Sequence, residues 1–385
     1  MSRLVFPVFT LFILLLFSCK KTTSQEPVAP PPDPPSWMVF SKGVDLSYVN
    51  EIEDFGGVYS DSGEVRDPFR IFHDHGANTI RVRLWHDPQW VAALTGGEMY
   101  SDLTDAAHTI ARAKALDMAV CLDIHYSDTW ADPDHQATPE AWQGLDLETM
   151  CDSVYTYTLS VLKTLAMQEL TPEMVQIGNE TNNGMLFPVG EVTDAHWGPF
   201  GALLNAGIRA VRDFSQTSEI KPEIILHVAQ FQNARWWLDN VVHSAGVKDF
   251  DIIGISHYVK WSTITQFAQI TSLIQEFRST YGKQVMVVET AYPWTGEDAD
   301  AYPNIFSLAD TLRGYPMTPA GQQSFLTALT RAIADGGGTG CMYWEPAWIT
   351  SEMQDKWGRG SAWDNCTLFN FEGNALESIG YLTGP

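Results

Sequence analysis

The sequence predicts an α/β protein of the (β/α)8 TIM-barrel class, built as one large domain. Three observations carry that expectation. Short apolar runs alternate with helix-period stretches from Lys42 almost to the C-terminus, the pattern of parallel strands covered by helices. Eight strand-like runs can be marked out, which favours closure into a barrel over a doubly wound open sheet. No Gly-x-Gly-x-x-Gly or Walker sequence follows the first run, which weakens the nucleotide-binding version of the open sheet.

The N-terminus stands apart from that alternation. Residues 1–18 read as a signal peptide, with Arg3 as the positive start and an unbroken apolar run from Leu11 to Phe17. The run is too short to span a bilayer comfortably. It ends Leu16-Phe17-Ser18-Cys19, which resembles a bacterial lipoprotein signal with Cys19 as the lipidated first residue of the mature chain. An ordinary secretory leader with an incidental cysteine is the other reading. Residues 19–36 hold six prolines between Pro27 and Pro35 and read as a semi-rigid tether. The expectation is a monomer held on a membrane of the bacterial envelope, most naturally the outer one, with the folded domain at 37–385. Of the remaining cysteines, Cys121 and Cys341 sit in apolar runs, and Cys151 and Cys366 complete no zinc spacing. Spacing fixes no disulfide among them.

The expected strands are Gly43–Leu46, Thr79–Trp85, Ala119–Ile124, Met174–Ile177, Glu223–Val228, Ile252–Ser256, Gln284–Val288 and Gly340–Tyr343. Helical patterns between them include Leu103–Leu116, Thr149–Gln168, Pro199–Phe214, Thr265–Tyr281 and Pro319–Asp335. The strand ends are unusually polar and aromatic. The first runs into Asp45, the second into Arg81, Arg83 and Trp85, and the third into Asp123 and His125. Alternation puts Arg81, Arg83 and Trp85 on one face, where two arginines make sense beside carboxylates that they keep ionised; an edge strand with a solvated arginine face is the other reading. The sixth ends His257-Tyr258 with Trp261 close behind, and the eighth ends Trp344-Glu345. A barrel brings all such ends to one face.

Composition narrows the partners. The 385 residues are 45% hydrophobic and 18% charged, ordinary for a large soluble core. The 47 acidic against 23 basic residues give a formal charge of −24 with no basic cluster beyond the leader, which excludes nucleic acid as a partner. A polyanionic glycan is repelled at long range. The 14 tryptophans suit sugar-ring stacking as well as core packing.

Two strand ends carry the chemistry. Val175-Gln176-Ile177-Gly178-Asn179-Glu180 and Val285-Met286-Val287-Val288-Glu289-Thr290 each deliver a glutamate at the mouth of an apolar run. Paired carboxylates in matching contexts point to glycoside hydrolysis, with carboxyl groups ~5–5.5 Å apart if the anomeric configuration is retained.

Six stretches then carry a resemblance to a known family: Lys42-Gly43-Val44-Asp45-Leu46-Ser47-Tyr48, Arg81-Val82-Arg83-Leu84-Trp85, Asp123-Ile124-His125-Tyr126-Ser127-Asp128-Thr129-Trp130-Ala131-Asp132-Pro133, Gln176-Ile177-Gly178-Asn179-Glu180, Val288-Glu289-Thr290-Ala291-Tyr292-Pro293-Trp294 and Tyr343-Trp344-Glu345-Pro346-Ala347-Trp348. In that order they resemble glycoside hydrolase family 53, the arabinogalactan endo-β-1,4-galactanases, among the clan A (β/α)8 retaining glycosidases. The resemblance implies Glu180 as acid/base, Glu289 as nucleophile, Asn179 on the sugar 2-hydroxyl, and Arg81 or Arg83 holding the nucleophile ionised. It implies substrate contacts at Asp45, Arg81, Arg83, Trp85, His125, Asn179, His257, Tyr258, Trp294, Trp344 and Trp363. The substrate implied is β-1,4-galactan, with no cofactor for catalysis. Arabinan, xylan or mannan hydrolysis, or glycan binding on an inactive barrel, are the rival readings. The run His257-Tyr258-Val259-Lys260-Trp261 departs from the family's Tyr-Tyr-Pro-Phe-Trp-like pattern at His257 and Lys260. Some members carry a structural calcium. Here Glu297, Asp298, Asp300, Asp355 and Asp364 are the candidate ligands, or are plain loop carboxylates.

Overall fold

The computed structural model describes residues 1–5, 34–193 and 196–384. The expected lipid-bearing Cys19 and nearly all of the tether lie outside the described residues. The folded domain begins at Pro35 and forms one compact unit.

Eight parallel strands close into a barrel in sequential order: β1 (Ser41–Asp45), β2 (Thr79–Leu84), β3 (Ala119–Ile124), β4 (Met174–Ile177), β5 (Glu223–Ala229), β6 (Ile252–Ser256), β7 (Gln284–Glu289) and β8 (Gly340–Tyr343). β8 pairs back onto β1 through Ser41↔Gly340 to Val44↔Tyr343. The helices that follow successive strands are α1 (Pro68–Asp74), α2 (Leu103–Lys114), α3 (Leu147–Ala166), α4 (Gly198–Ser215), α5 (Phe231–Asp239), α6 (Phe267–Tyr281) and α7 (Pro319–Asp335). A 3-10 segment, Glu377–Thr383, takes the eighth place and packs on α7. Helix starts are marked locally. Asp67, Asp102, Asp146 and Thr318 each accept a hydrogen bond from a first-turn backbone N–H. The helices α1 and α5 have no counterpart among the expected segments, because seven and nine residues are too few to display a helical period.

Strand side chains divide into two sets. The outward set, including Val82, Leu122, Val175, Leu226, Ile255 and Val287, packs with helix residues such as Ile110, Leu162, Leu204, Ile274 and Phe325 into the main core. The inward set changes character along the barrel axis. Toward the N-terminal ends it is apolar: Cys121, Met174, Ile225, Ile252, Met286, Val288 and Met342, with Trp37 packed against them. Gly254 keeps this layer filled. A Cβ there would meet Ile225 Cγ2 at 2.7 Å and the Val288 methyls at 3.2 Å, so any side chain would displace them. Toward the C-terminal ends the interior turns polar, and register sets the polar residues side by side: Asp45 opposite Arg81, Arg83 opposite Asp123, Asp123 opposite Gln176. Cys121, Cys341 and Cys366 are buried free thiols and Cys151 is half-buried.

Candidate active site

The strand ends open into a cleft of about 620 Å3 whose walls include Asp45, Arg81, Arg83, Asn179, Glu180 and Glu289. Arg81 is its organising cation. Buried to 1% exposure, it donates from Nη1 to Asp45 Oδ2 at 2.8 Å and from Nη2 to Asn179 Oδ1 at 3.0 Å. The same Nη2 lies 2.8 Å from Asp123 Oδ2 and 2.8 Å from Glu289 Oε1. One guanidinium therefore serves carboxylates from β1, β3 and β7. Such a cation in a dry site is retained only because its charge is matched by anions at contact distance. The match acts on them in turn. Burial would raise the Asp123 carboxyl, but Arg81 and His125 hold it below its ordinary value.

Glu289 receives a second bond, from Tyr258 Oη to Oε2 at 2.8 Å. Burial pushes its carboxyl up, and Arg81 and Tyr258 oppose that push by favouring the ionised form. The Glu180 carboxyl is raised as well. Burial and then the Glu289 charge drive its carboxyl up to about 8. The ion pair to Arg81 and the Tyr258 bond mark Glu289 as the group to carry the charge and leave the proton to Glu180, the division that acid-assisted displacement requires.

Glu180 sits at φ +45, a left-handed conformation that costs a non-glycine residue about 1–3 kcal/mol unless its surroundings impose it. They do so here. Gly178, at φ +79, starts the turn. Gln136 Nε2 donates to Asn179 O at 2.8 Å. Asn182 imitates a strand neighbour, donating from Nδ2 to Ala229 O at 3.0 Å and accepting from Ala229 N at 2.7 Å. Trp237 Nε1 donates to Thr181 O at 2.8 Å. Behind the turn, His227 Nδ1 stands 2.9 Å from Asn179 Oδ1 and its Nε2 2.7 Å from Ser256 Oγ. Burial keeps His227 far below its ordinary pKa, so the ring is neutral and bridges two polar side chains.

Of the residues expected to meet substrate, Asp45, Arg81, Arg83, His125, Asn179, Tyr258, Trp344 and Trp363 line the cleft with both glutamates. Three do not. Trp85 is 1% exposed and lies beneath the wall, its ring edge-on to Trp130 at 5.3 Å. His257 turns its ring away onto Phe231 and serves the site only through its backbone N–H, which donates to Glu289 O at 2.8 Å. Trp294 ties two loops together, donating from Nε1 to Asp364 O and packing on Phe371. Between the two arginines, it is Arg81 that holds Glu289. Arg83 instead faces Glu345 at 3.2 Å and lies over the rings of Trp130, Tyr48 and Trp85 at 4.1, 4.4 and 4.6 Å. Lys260, where the sixth strand end departs from the family pattern, is drawn off to Asp310 at 3.0 Å.

The carboxylates considered for calcium are mostly engaged in loop hydrogen bonds. Among the described residues no group of three or more His, Cys, Asp or Glu side chains converges as a cation would need. Four of the five already accept hydrogen bonds: Asp298 from Asn304 Nδ2, Asp300 from Tyr302 N, Thr350 Oγ1 and Ser361 N, Asp364 from Asn304 and Ala299 N, Asp355 from Trp357 N and Gly358 N. They act as loop caps.

Residues that sequence reasoning passed over include His227, Ser256, Gln136 and Asn182. The signal for His227 was a lone imidazole in the apolar run Ile224–Val228, at even spacing from Ile225 and hence on the inward face.

Known proteins share both the sequence and the fold. The profile of glycosyl hydrolase family 53 matches residues 41–382. The arabinogalactan endo-β-1,4-galactanase of Cellvibrio japonicus (strain Ueda107) is 42% identical over 347 residues, covering 88% of this chain and 89% of that protein. Among solved structures, the GH53 catalytic domain of Ignisphaera aggregans superposes with a TM-score of 0.80 at 36% identity, over 93% of this chain and 98% of that one. A fungal β-1,4-galactanase gives 0.75 at 29% identity, over 90% and 99%.

Proposed function

Since the chain belongs to glycosyl hydrolase family 53, we propose that it is an endo-acting, retaining β-1,4-galactanase that cuts galactan, including the type I arabinogalactan side chains of pectin. The observation that carries the reading is the division of labour between the two cleft glutamates. Glu289 is bound by Arg81 and Tyr258 and faces the substrate as an anion. Glu180, pushed up to about 8, keeps its proton.

Glu289 Oε attacks the anomeric carbon as the glycosidic bond breaks, and the Glu180 proton passes to the departing sugar oxygen. The product of this step is a glycosyl ester on Glu289 and a free chain end. Esterification removes the Glu289 charge that had raised Glu180. Glu180, now a carboxylate, takes a proton from water, whose oxygen attacks the anomeric carbon and releases Glu289. Two inversions give net retention. The two carboxyls supply acid, nucleophile and base, so the displacement draws on no cofactor. Asn179, fixed by Arg81, His227 and a 2.8 Å bond from Nδ2 to Ala131 O, presents an amide to the sugar bound between the carboxyls.

The test is product analysis after incubation with linear β-1,4-galactan, with arabinan, xylan and mannan in parallel. Internal cleavage of galactan, with the β-anomer forming first by NMR, is expected. Turnover of another glycan in preference, or first release of the α-anomer, refutes the assignment. Binding without turnover would favour the inactive-barrel reading. The lipid anchor belongs to the same proposal: Cys19 carries it and the 19–36 tether sets the domain off an envelope membrane. A supporting result is palmitate incorporation that Cys19→Ser abolishes.

A further inference from the structure

The tryptophans in and behind the cleft wall differ in exposure, with Trp130 and Trp344 half-buried. Trp85, Trp197, Trp237 and Trp363 are each 3% exposed or less. Trp236 and Trp261 stand out at 52% and 49%, and both line the cleft. Exposure of that order on a helix adds nothing to a core, yet Trp236 is held in place. Its ring packs edge-on against Trp197 at 5.1 Å. Its neighbour Trp237 faces inward and bonds Thr181 O, one residue beyond Glu180.

The surroundings are those of an oligosaccharide groove. Gln232, Asn233 and Trp236 share the cleft-facing side of α5. Gln232 is committed to the next loop, donating from Nε2 to Trp261 O at 2.9 Å and accepting from Ser262 Oγ at 3.3 Å. Trp261 is braced edge-on by Tyr258 at 5.3 Å and Phe306 at 5.7 Å. Beside α5, Asn182, which shares the Ala229 carbonyl with Asn233, and Asn183 continue the turn that carries Glu180. The wall is thus aromatic and amide-bearing, which suits the apolar face and hydroxyl rim of a neutral sugar.

Direction follows from the chemistry. Glu180 protonates the oxygen of the departing sugar, so the leaving half of the chain lies on the Glu180 side, over the ends of β4 and β5. Trp236 stands there, on the helix that follows β5. We infer that Trp236 is the stacking platform of a leaving-group subsite beyond the cleavage point, and that it sets where along a galactan chain the enzyme cuts. The inference rests on the galactanase reading of the two glutamates.

The experiment is a bond-cleavage map of β-1,4-galactohexaose labelled with 18O at its reducing end, using the full chain and its Trp236→Ala and Trp236→Phe variants. Removing a leaving-side platform lets the hexaose sit with fewer sugars on that side. Trp236→Ala should therefore move cleavage toward the reducing end, changing the ratio of adjacent cuts by about 2- to 10-fold, the span of one aromatic contact. Trp236→Phe keeps a ring and should stay within about twofold of the parent ratio. An unchanged map in Trp236→Ala overturns the inference. So does an equal loss at every bond, which is what a purely bracing role would give. Failure of the parent to cleave the hexaose overturns the galactanase reading and this inference together, whereas cleavage with an unmoved map overturns this one alone.

Discussion

Tyr258→Phe isolates one hydrogen bond at the centre of the site. The hydroxyl lies 2.8 Å from Glu289 Oε2, and the ring is packed against Trp261, Phe306 and Trp363, contacts that phenylalanine keeps. A hydrogen bond to an ionised group contributes about 1.5–3 kcal/mol. At 1.36 kcal/mol per pKa unit this corresponds to about 1–2 units on Glu289. The sign follows from which form is bonded. Tyr258 donates to the carboxylate, so its loss favours the protonated acid and raises the Glu289 pKa. Glu289 attacks only when ionised, and the acid limb of kcat/KM should move upward by about 1–2 pH units. The alkaline limb follows loss of the proton from Glu180 and should move much less, so the active window narrows from its acid side. Initial rates from pH 3 to 10, with a melting curve confirming an intact fold, provide the measurement. A uniform drop in rate with an unmoved acid limb would refute the reasoning, and would assign the hydroxyl to sugar contact alone.

The two glutamates should fail differently. Glu180→Ala should still form a glycosyl-enzyme from an activated aryl galactoside, stall there, and be rescued by azide to a β-galactosyl azide; Glu289→Ala with azide should give the α-azide, and the reverse pattern would mean that the roles are exchanged. Glu51 offers a stability test. It is 3% exposed, and burial, then the Asp105 charge, lifts its carboxyl from an ordinary 4.5 to about 8. A carboxyl raised on folding costs nothing below its unfolded pKa and progressively more up to its folded one. Glu51→Gln should thus raise the unfolding free energy little at pH 4, increasingly toward pH 8, and by about a few kcal/mol at most, as read by chemical denaturation, while a pH-independent gain would count against this account. Removing residues 1–34 should leave a folded, active domain. Cutting past Trp37, which packs on the apolar floor of the barrel, should cost about 1–3 kcal/mol by chemical denaturation, and equal stability of the two truncations would contradict that packing role.

The strands were legible because each is a buried apolar run, and four of the eight, including β4 and β8, have the expected limits. Arg81 and Arg83 were legible as an inward pair through simple alternation. Which carboxylate each meets was not, because that depends on how far up the barrel each reaches: Arg81 to β1, β3 and β7, Arg83 to Glu345 after β8. The same alternation, followed from Ser256, separates His257 from Tyr258 and puts the imidazole on the helix side. Trp294 lies five residues beyond Glu289 in an irregular loop, where no period tells inside from outside. His227, passed over in the sequence, is chemically a satisfied core histidine. Its importance to the cleft comes from a neighbour, Asn179, that the pairing of β4 with β5 supplies.

The bonds of Arg81 also impose an order on synthesis. Asp45 precedes it in the chain and Asp123 follows soon after, so two of its three carboxylates are available once β3 has emerged. The third, Glu289, follows about 165 residues later, on the order of 8–33 s at ribosomal speeds of ~5–20 residues per second. Until then the chain holds the arginine and two of its anions but lacks the group that attacks sugar. Any chain interrupted before β7 is therefore chemically inert, and the last of this arginine's carboxylates to be made is the one that arms it.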